Sequence, residues 1–149
     1  MASDWLSRLA GEAYCYLTTT GRRTGNPHTI EIWFAAHDGR LYLLCGSRHR
    51  SDWVRNLKRN PQVQVRIGGE TRTGQAQVVD AEADPEEDAL ARRLLAAKYQ
   101  NWREGQPLSA WARTALPVVI GFDDFGGDGM AGADAGRSSV ARGAHGEQR

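Results

Sequence analysis

Apolar and polar positions alternate with a period of two along several stretches of this chain, and each stretch ends at a turn signal. The clearest is Val63, Val65 and Ile67 set against Gln62, Gln64 and Arg66, closed by Gly68-Gly69. Strict alternation puts every second side chain on one face, so this reads as a half-buried strand. Tyr14 to Thr20 is rich in aromatic and β-branched residues and stops at Gly21, which reads as an earlier strand. From His28 to Ala36 another strand is predicted, with Ile30, Ile32 and Phe34 on one face and Thr29, Glu31 and Trp33 on the other. Asp38-Gly39 predicts a tight hairpin into a strand over Arg40–Cys45. Beyond Gly68-Gly69 a strand runs to near Ala81, and Leu116 to Phe122 reads as the last.

Helical spacing occurs in three places. Trp5, Leu6 and Leu9 follow Ser3 and Asp4, either of which could cap a short helix. Trp53, Val54 and Leu57 form an apolar stripe behind Ser51, a candidate N-cap. Asn60-Pro61 ends that helix, because a residue before proline is pushed out of the α region. Asp84-Pro85-Glu86-Glu87 combines a cap, a proline at the first helical position and a glutamate three residues after the cap. Leu90, Leu94 and Ala97 carry that helix towards Tyr99. The expected fold is therefore mainly β with flanking helices: six antiparallel strands in a closed or nearly closed barrel. Side chains fill a barrel of that size, so a ligand must bind at its surface, at a mouth or at a subunit junction.

Composition divides the chain. Its 149 residues fit one domain. Residues 123–149 hold seven of the 17 glycines and three large apolar residues, Phe125, Met130 and Val140. That is too little apolar surface to offset ordering entropy. The expectation is a folded domain over 1–122 and a disordered Gly-rich tail over 123–149. No run approaches the ~18 apolar residues of a membrane span. Met1-Ala2-Ser3-Asp4-Trp5 is not a charged region leading into an apolar run, and Cys15 and Cys45 are too few for a disulfide framework. A cytoplasmic protein without stable membrane insertion is expected.

Charge changes the picture more. The net of +1 hides three blocks. Arg22 to Arg72 has ten basic and four acidic residues, a local +6; Asp80 to Asp88 has six acidic residues and no basic ones; residues 123–149 carry −2. The basic block lacks interleaved aromatics, which argues against nucleic acid. There is no phosphate-binding loop motif, no Cys-x-x-Cys and no visible set of three metal ligands. No metal is expected, and no nucleophile with its base can be named. What remains is the turn Arg22-Arg23-Thr24-Gly25 and the segment Gly46-Ser47-Arg48-His49-Arg50-Ser51, which leads into a helix N-terminus. Backbone amides, a hydroxyl, guanidiniums and a helix end make a sensible phosphate site; a solvated basic loop is the plain alternative. Trp33, facing away from the Ile30/Ile32/Phe34 stripe, either stacks on a planar ligand or covers the other side of the sheet.

Leu17-Thr-Thr-Thr-Gly-Arg-Arg-Thr-Gly-Asn-Pro-His28, Ile30-Glu-Ile-Trp-Phe34, and Ser51-Asp-Trp-Val-Arg-Asn-Leu-Lys-Arg-Asn-Pro61 followed by Val63-Gln-Val-Arg-Ile67 together resemble the deazaflavin-dependent nitroreductase family. The match in order and spacing covers about residues 10–122. The resemblance implies the split β-barrel of the flavin/deazaflavin oxidoreductases, also called the FMN-binding split barrel. It implies coenzyme F420 as cofactor, with FMN as the alternative in the same fold. Ser47 and Arg48 match the family's phosphate-binding place, with Arg50 beside them and Trp53 and Asn56 on the helix behind. Arg23 matches a basic position near the anionic tail, and His28 stands where relatives often carry an arginine. The backbone around Glu31, Ile32 and Trp33 matches the stretch lying along the deazaflavin ring. The implied reaction passes a hydride to an electron-poor small molecule: a quinone, an enone or a nitroaromatic. Tyr16, Tyr42, His28 or water could supply a proton, so the catalytic residues stay unassigned. A homodimer is possible in this superfamily. A non-catalytic barrel carrying flavin, haem or lipid is the competing class.

Overall fold

The computed structural model describes residues 3–122. The tail expected over 123–149 lies outside them. In chain order the elements are α1 (Ser3–Leu9), β1 (Cys15–Thr20), β2 (Pro27–Ile32), β3 (Ala35–His37), β4 (Arg40–Cys45), a 3-10 turn (Arg48–Arg50), α2 (Asp52–Arg59), β5 (Gln62–Ile67), β6 (Glu70–Val78), α3 (Pro85–Tyr99), α4 (Ala110–Thr114) and β7 (Leu116–Phe122). The turn chemistry acts as the sequence predicts. Asp38 and Gly39 sit at φ 56° and 81°, and His37 pairs with Arg40 across the hairpin. Asp84 accepts a hydrogen bond from the Glu87 N–H at 3.3 Å and starts α3, with Pro85 behind it.

All strands belong to one antiparallel sheet in the order β2-β1-β5-β6-β7-β4-β3. Its two edge strands, β2 and β3, are consecutive in sequence, and only Trp33 and Phe34 separate Ile32 from Ala35. Three residue steps span at most ~10 Å. The sheet must therefore curl until its edges meet, and the Trp33–Phe34 crossover closes the barrel covalently. This corrects the strand expected over His28–Ala36, which is two strands, so the described residues hold seven strands rather than six. β6 also ends at Val78, short of Ala81, and α4 and the 3-10 turn had no expectation.

Two cores result. Alternating residues of β1, β4, β5 and β7, such as Leu17, Leu43, Val65 and Ile120, fill the barrel with Ile30, Ile32 and Phe34; α1 adds Trp5 and Leu6, and α2 adds Trp53, Val54 and Leu57. The outward residues Tyr42, Leu44 and Val119 pack instead against Ala91 and Leu95 of α3. Thus β4 is covered on both faces, which is why Leu41 to Cys45 is apolar throughout rather than alternating.

Candidate active-site cleft

The turn between β1 and β2 is closed by its own backbone. The Gly21 N–H donates to the Asn26 carbonyl at 2.7 Å, and the Gly25 N–H donates to the Gly21 carbonyl at 2.9 Å. A Cβ on Gly21 would stand 2.8 Å from His28 Nε2, so the bare glycine lets the imidazole lie against the turn. Together this turn and the start of α2 enclose an open cleft of about 380 Å³ lined by Gly21, Arg22, Arg23, Thr24, Asn26, His28, Asp52 and Asn56.

Asn56 organises the wall. Its Oδ1 accepts from the Arg22 backbone N–H at 3.1 Å and from Arg22 Nη1 at 2.9 Å, while its Nδ2 donates to Thr19 Oγ1 at 3.1 Å. Arg22 Nη2 also reaches Asp52 Oδ1 at 3.2 Å. Arg22 is thus pinned between the turn and α2, with an exposed carboxylate facing one end of its guanidinium. Arg23 is exposed and has no recorded hydrogen bond or ion pair among the described residues. Ser51 sits at the N-terminus of α2, 3% exposed, yet its hydroxyl makes no capping bond and has no partner. The expected N-cap position is right; the capping bond is not formed.

Of the expected cofactor-binding residues, Arg23, His28 and Asn56 line the cleft; Arg22 of the basic turn joins them, as does Asp52, which the sequence did not point to. The repeated basic residue in the Gly-Arg-Arg-Thr-Gly turn was the signal for Arg22. Arg48 goes elsewhere: at positive φ, 55°, its Nη1 donates to the Thr114 carbonyl at the end of α4. The Ser47 backbone carbonyl accepts from the Arg50 N–H at 3.1 Å in the 3-10 turn, and the Arg50 side chain is exposed. His49 lies against Lys58 Nζ at 3.1 Å; desolvation, then the Lys58 and Arg48 charges, lowers its pKa. The Ile32 and Trp53 side chains are in the barrel interior, so at Ile32 only the peptide could meet a ligand. Glu31 faces Tyr16 across β1–β2, with the Tyr16 hydroxyl 3.5 Å from Oε1.

Trp33 stacks on Tyr99, with centroids 4.3 Å apart and planes 3° apart, and meets Trp111 edge-on at 5.5 Å. Of the two roles left open for it, covering the second core is the one seen. Tyr42 is removed from the proton donors. It is 2% exposed, its hydroxyl donates to Glu87 at 2.7 Å, and burial followed by that bond pushes its pKa up to about 12.

The curled sheet, closed on itself and carrying a basic cleft, defines a split barrel. Residues 3–122 match the family model of the F420H(2)-dependent quinone reductases. Over 108 residues the chain is 38% identical to an F420H(2)-dependent quinone reductase of Mycobacterium tuberculosis H37Rv, covering 70% of this chain and 69% of the relative. Among solved structures, one described as an F420-H2 dependent reductase superposes with a TM-score of 0.54 at 20% identity, over 72% of this chain and 93% of that one. A candidate pyridoxamine 5'-phosphate oxidase from Listeria innocua superposes with a TM-score of 0.58 at 19% identity, over 82% of this chain and 93% of the other. These two establish likeness of fold. The chain belongs to the F420H(2)-dependent quinone reductase family.

Proposed function

We propose that the protein transfers a hydride from reduced F420 to a quinone, and that the cleft between the Gly21–His28 turn and α2 receives the anionic part of the cofactor. The observation that carries the placement is the convergence of Arg22, exposed Arg23 and His28 on one open cleft at the start of α2. The adjoining helix end and the Arg22 and Arg23 guanidiniums suit an anionic group. The residues therefore fit a phosphate with a carboxylate tail. When bound, reduced F420 supplies a hydride from C5 of its deazaflavin ring.

The chain's part is to bind and orient. Asn56 fixes Arg22, Arg23 is free to close on an anion, and the peptides of Glu31, Ile32 and Trp33 offer an edge for the ring. Tyr16 and His28 remain as side chains that could hand a proton to the reduced acceptor. Ser47, Arg48 and Arg50 stay in the proposal as a second basic shoulder before α2. Cys15 and Cys45 are both buried thiols outside any disulfide, which suits a reducing, cytoplasmic compartment. Among the described residues no helix is long and apolar enough to cross a membrane. A homodimer is part of the proposal on one ground, the edge-to-face pair Tyr14 and Tyr16 on the outer face of the sheet, where Tyr14 is 40% exposed. A single species of monomer mass in sedimentation velocity would remove it.

The test is anaerobic turnover with reduced F420 and menadione. The expected result is consumption of reduced F420 at a rate proportional to protein, with reduced FMN failing to replace it. Equal or faster turnover with reduced FMN would overturn the cofactor assignment.

A further inference from the structure

The crossover that closes the barrel leaves peptide groups outside the ladder. Phe34 lies between β2 and β3, so neither its N–H nor its carbonyl has a strand partner. Buried peptide groups need partners, and both come from the last turn of α3. The Phe34 N–H donates to the Tyr99 hydroxyl at 3.1 Å. The Phe34 carbonyl accepts from Lys98 Nζ at 2.9 Å and lies 3.0 Å from the Tyr99 hydroxyl. The same two side chains reach the segment before β1: Lys98 donates to the Ala10 carbonyl at 3.0 Å, and the Tyr99 hydroxyl donates to the Ala13 carbonyl at 2.7 Å. The Lys98 ammonium sits 3.7 Å above the centre of the Phe34 ring, and the Tyr99 ring stacks on Trp33.

We propose that Lys98 and Tyr99 are positioning residues for hydride transfer, holding the Trp33–Phe34 peptide and so setting the backbone edge of residues 31–33 against which the ring lies. This rests on the F420 reading above. The clamp lies at the far end of that edge from the Arg22–Asn56 cleft, because β2 begins at Pro27 beside the cleft and runs to Ile32. The two regions divide the work: the cleft holds the anionic end, and the clamp sets the reacting end.

That division makes the proposal separable from a merely structural role. Tyr99→Phe keeps the stack on Trp33 but removes the hydroxyl; Lys98→Met keeps the aliphatic stem over Phe34 but removes the ammonium. Arg103→Ala, an exposed change beyond α3, is the control. F420 affinity is read by tryptophan quenching, and single-turnover hydride transfer to menadione is followed with and without deuterium at C5 of reduced F420. The expected result for both clamp variants is F420 Kd within threefold of wild type, a hydride-transfer rate at least tenfold lower and a larger isotope effect, with Lys98→Arg recovering most of the rate. Two outcomes overturn the proposal. One is an unchanged single-turnover rate in Tyr99→Phe. The other is a loss of rate matched by a loss of F420 sites at an unchanged isotope effect, which is what partial unfolding gives. If the wild type itself does not bind F420, the functional reading fails first and the proposal falls with it.

Discussion

Asn56 ties together three segments that the chain keeps apart: Thr19 on β1, the Arg22 turn, and its own helix. It is 2% exposed, its bond to Thr19 is buried and those to Arg22 are half-buried, and an unmade buried partner costs about 1–3 kcal/mol. Replacing Asn56 by Ala strands the Thr19 hydroxyl and releases Arg22. Thermal unfolding should show a loss of about 2 kcal/mol or more, and a change below 0.5 kcal/mol would mean the amide is not shared as described. Asp52 acts in the other direction. Its exposed carboxylate competes with any anion for Arg22, and exposed pairs are worth about 0.2–1 kcal/mol. Asp52→Asn should therefore tighten F420 binding by a factor of about two, measured by titration at low salt; weaker binding would contradict the Arg22 assignment. Lys98 offers a pH signature. Burial pushes its pKa down from 10.5 to about 8, against the smaller opposing influence of Cys15 and Glu12. Between those two values the unfolded chain holds a proton that the folded chain has released, so this group makes stability rise as pH rises through about 8. Above pH 9 the buried Cys15 thiol, pushed up to about 12 by burial, works in the opposite sense. The difference between wild type and Lys98→Met in urea unfolding, taken over pH 7–9, isolates the lysine; a difference that does not change with pH would rule the shift out.

Local signals at the element scale were readable where they were sufficient. The Val63/Val65/Ile67 alternation, the Asp38-Gly39 and Gly68-Gly69 turns and the Asp84-Pro85 helix start all recur in the structure, because each carries its own backbone requirement. The break at Trp33–Phe34 was not readable. Its cause is two side chains on α3, some 65 residues away, that take over the Phe34 peptide. For α4 the same holds: a five-residue helix is too short to form alone. It is held by Arg92, bonded to the Ala112 and Ala115 carbonyls and to Asp88, and by Arg48 at Thr114. The candidate site was partly legible for a related reason. Sequence placed basic groups before and after β2–β4, but whether Arg22, Arg23 or Arg48 faces the cleft depends on turn geometry and on α4. One strand position tests the sheet directly. A Cβ on Gly74 would stand 2.7 Å from Ile120 Cγ2 and 2.8 Å from the Gly121 carbonyl. Gly74→Ala should thus part β6 from β7 and destabilise by about 1–3 kcal/mol, seen as a lowered Tm; an unchanged or raised Tm would show that the strands can give.

Across the whole molecule, a net charge of +1 coexists with a basic face because the charges are segregated. The cleft has Arg22 and Arg23 on one wall and Asp52 on the other, beside an α2 surface carrying exposed Arg55, Lys58 and Arg59. The acidic run lies at the start of α3, where Glu87 is held in its charged form by the Tyr42 hydroxyl and Arg40. An anion approaching the cleft is therefore met by a locally basic surface. The central claim proposed for this F420H(2)-dependent quinone reductase family member is that the anionic end of F420 binds at the turn between β1 and β2. Titration of the protein with F420, followed by tryptophan quenching, tests it most directly when wild type is compared with Arg23→Ala and Arg103→Ala. The account predicts saturable quenching by wild type, about tenfold weaker binding in Arg23→Ala, the loss expected for one charge-assisted hydrogen bond, and an Arg103→Ala variant within twofold of wild type. Equal affinities for all three proteins, or no saturable quenching by wild type, would contradict it.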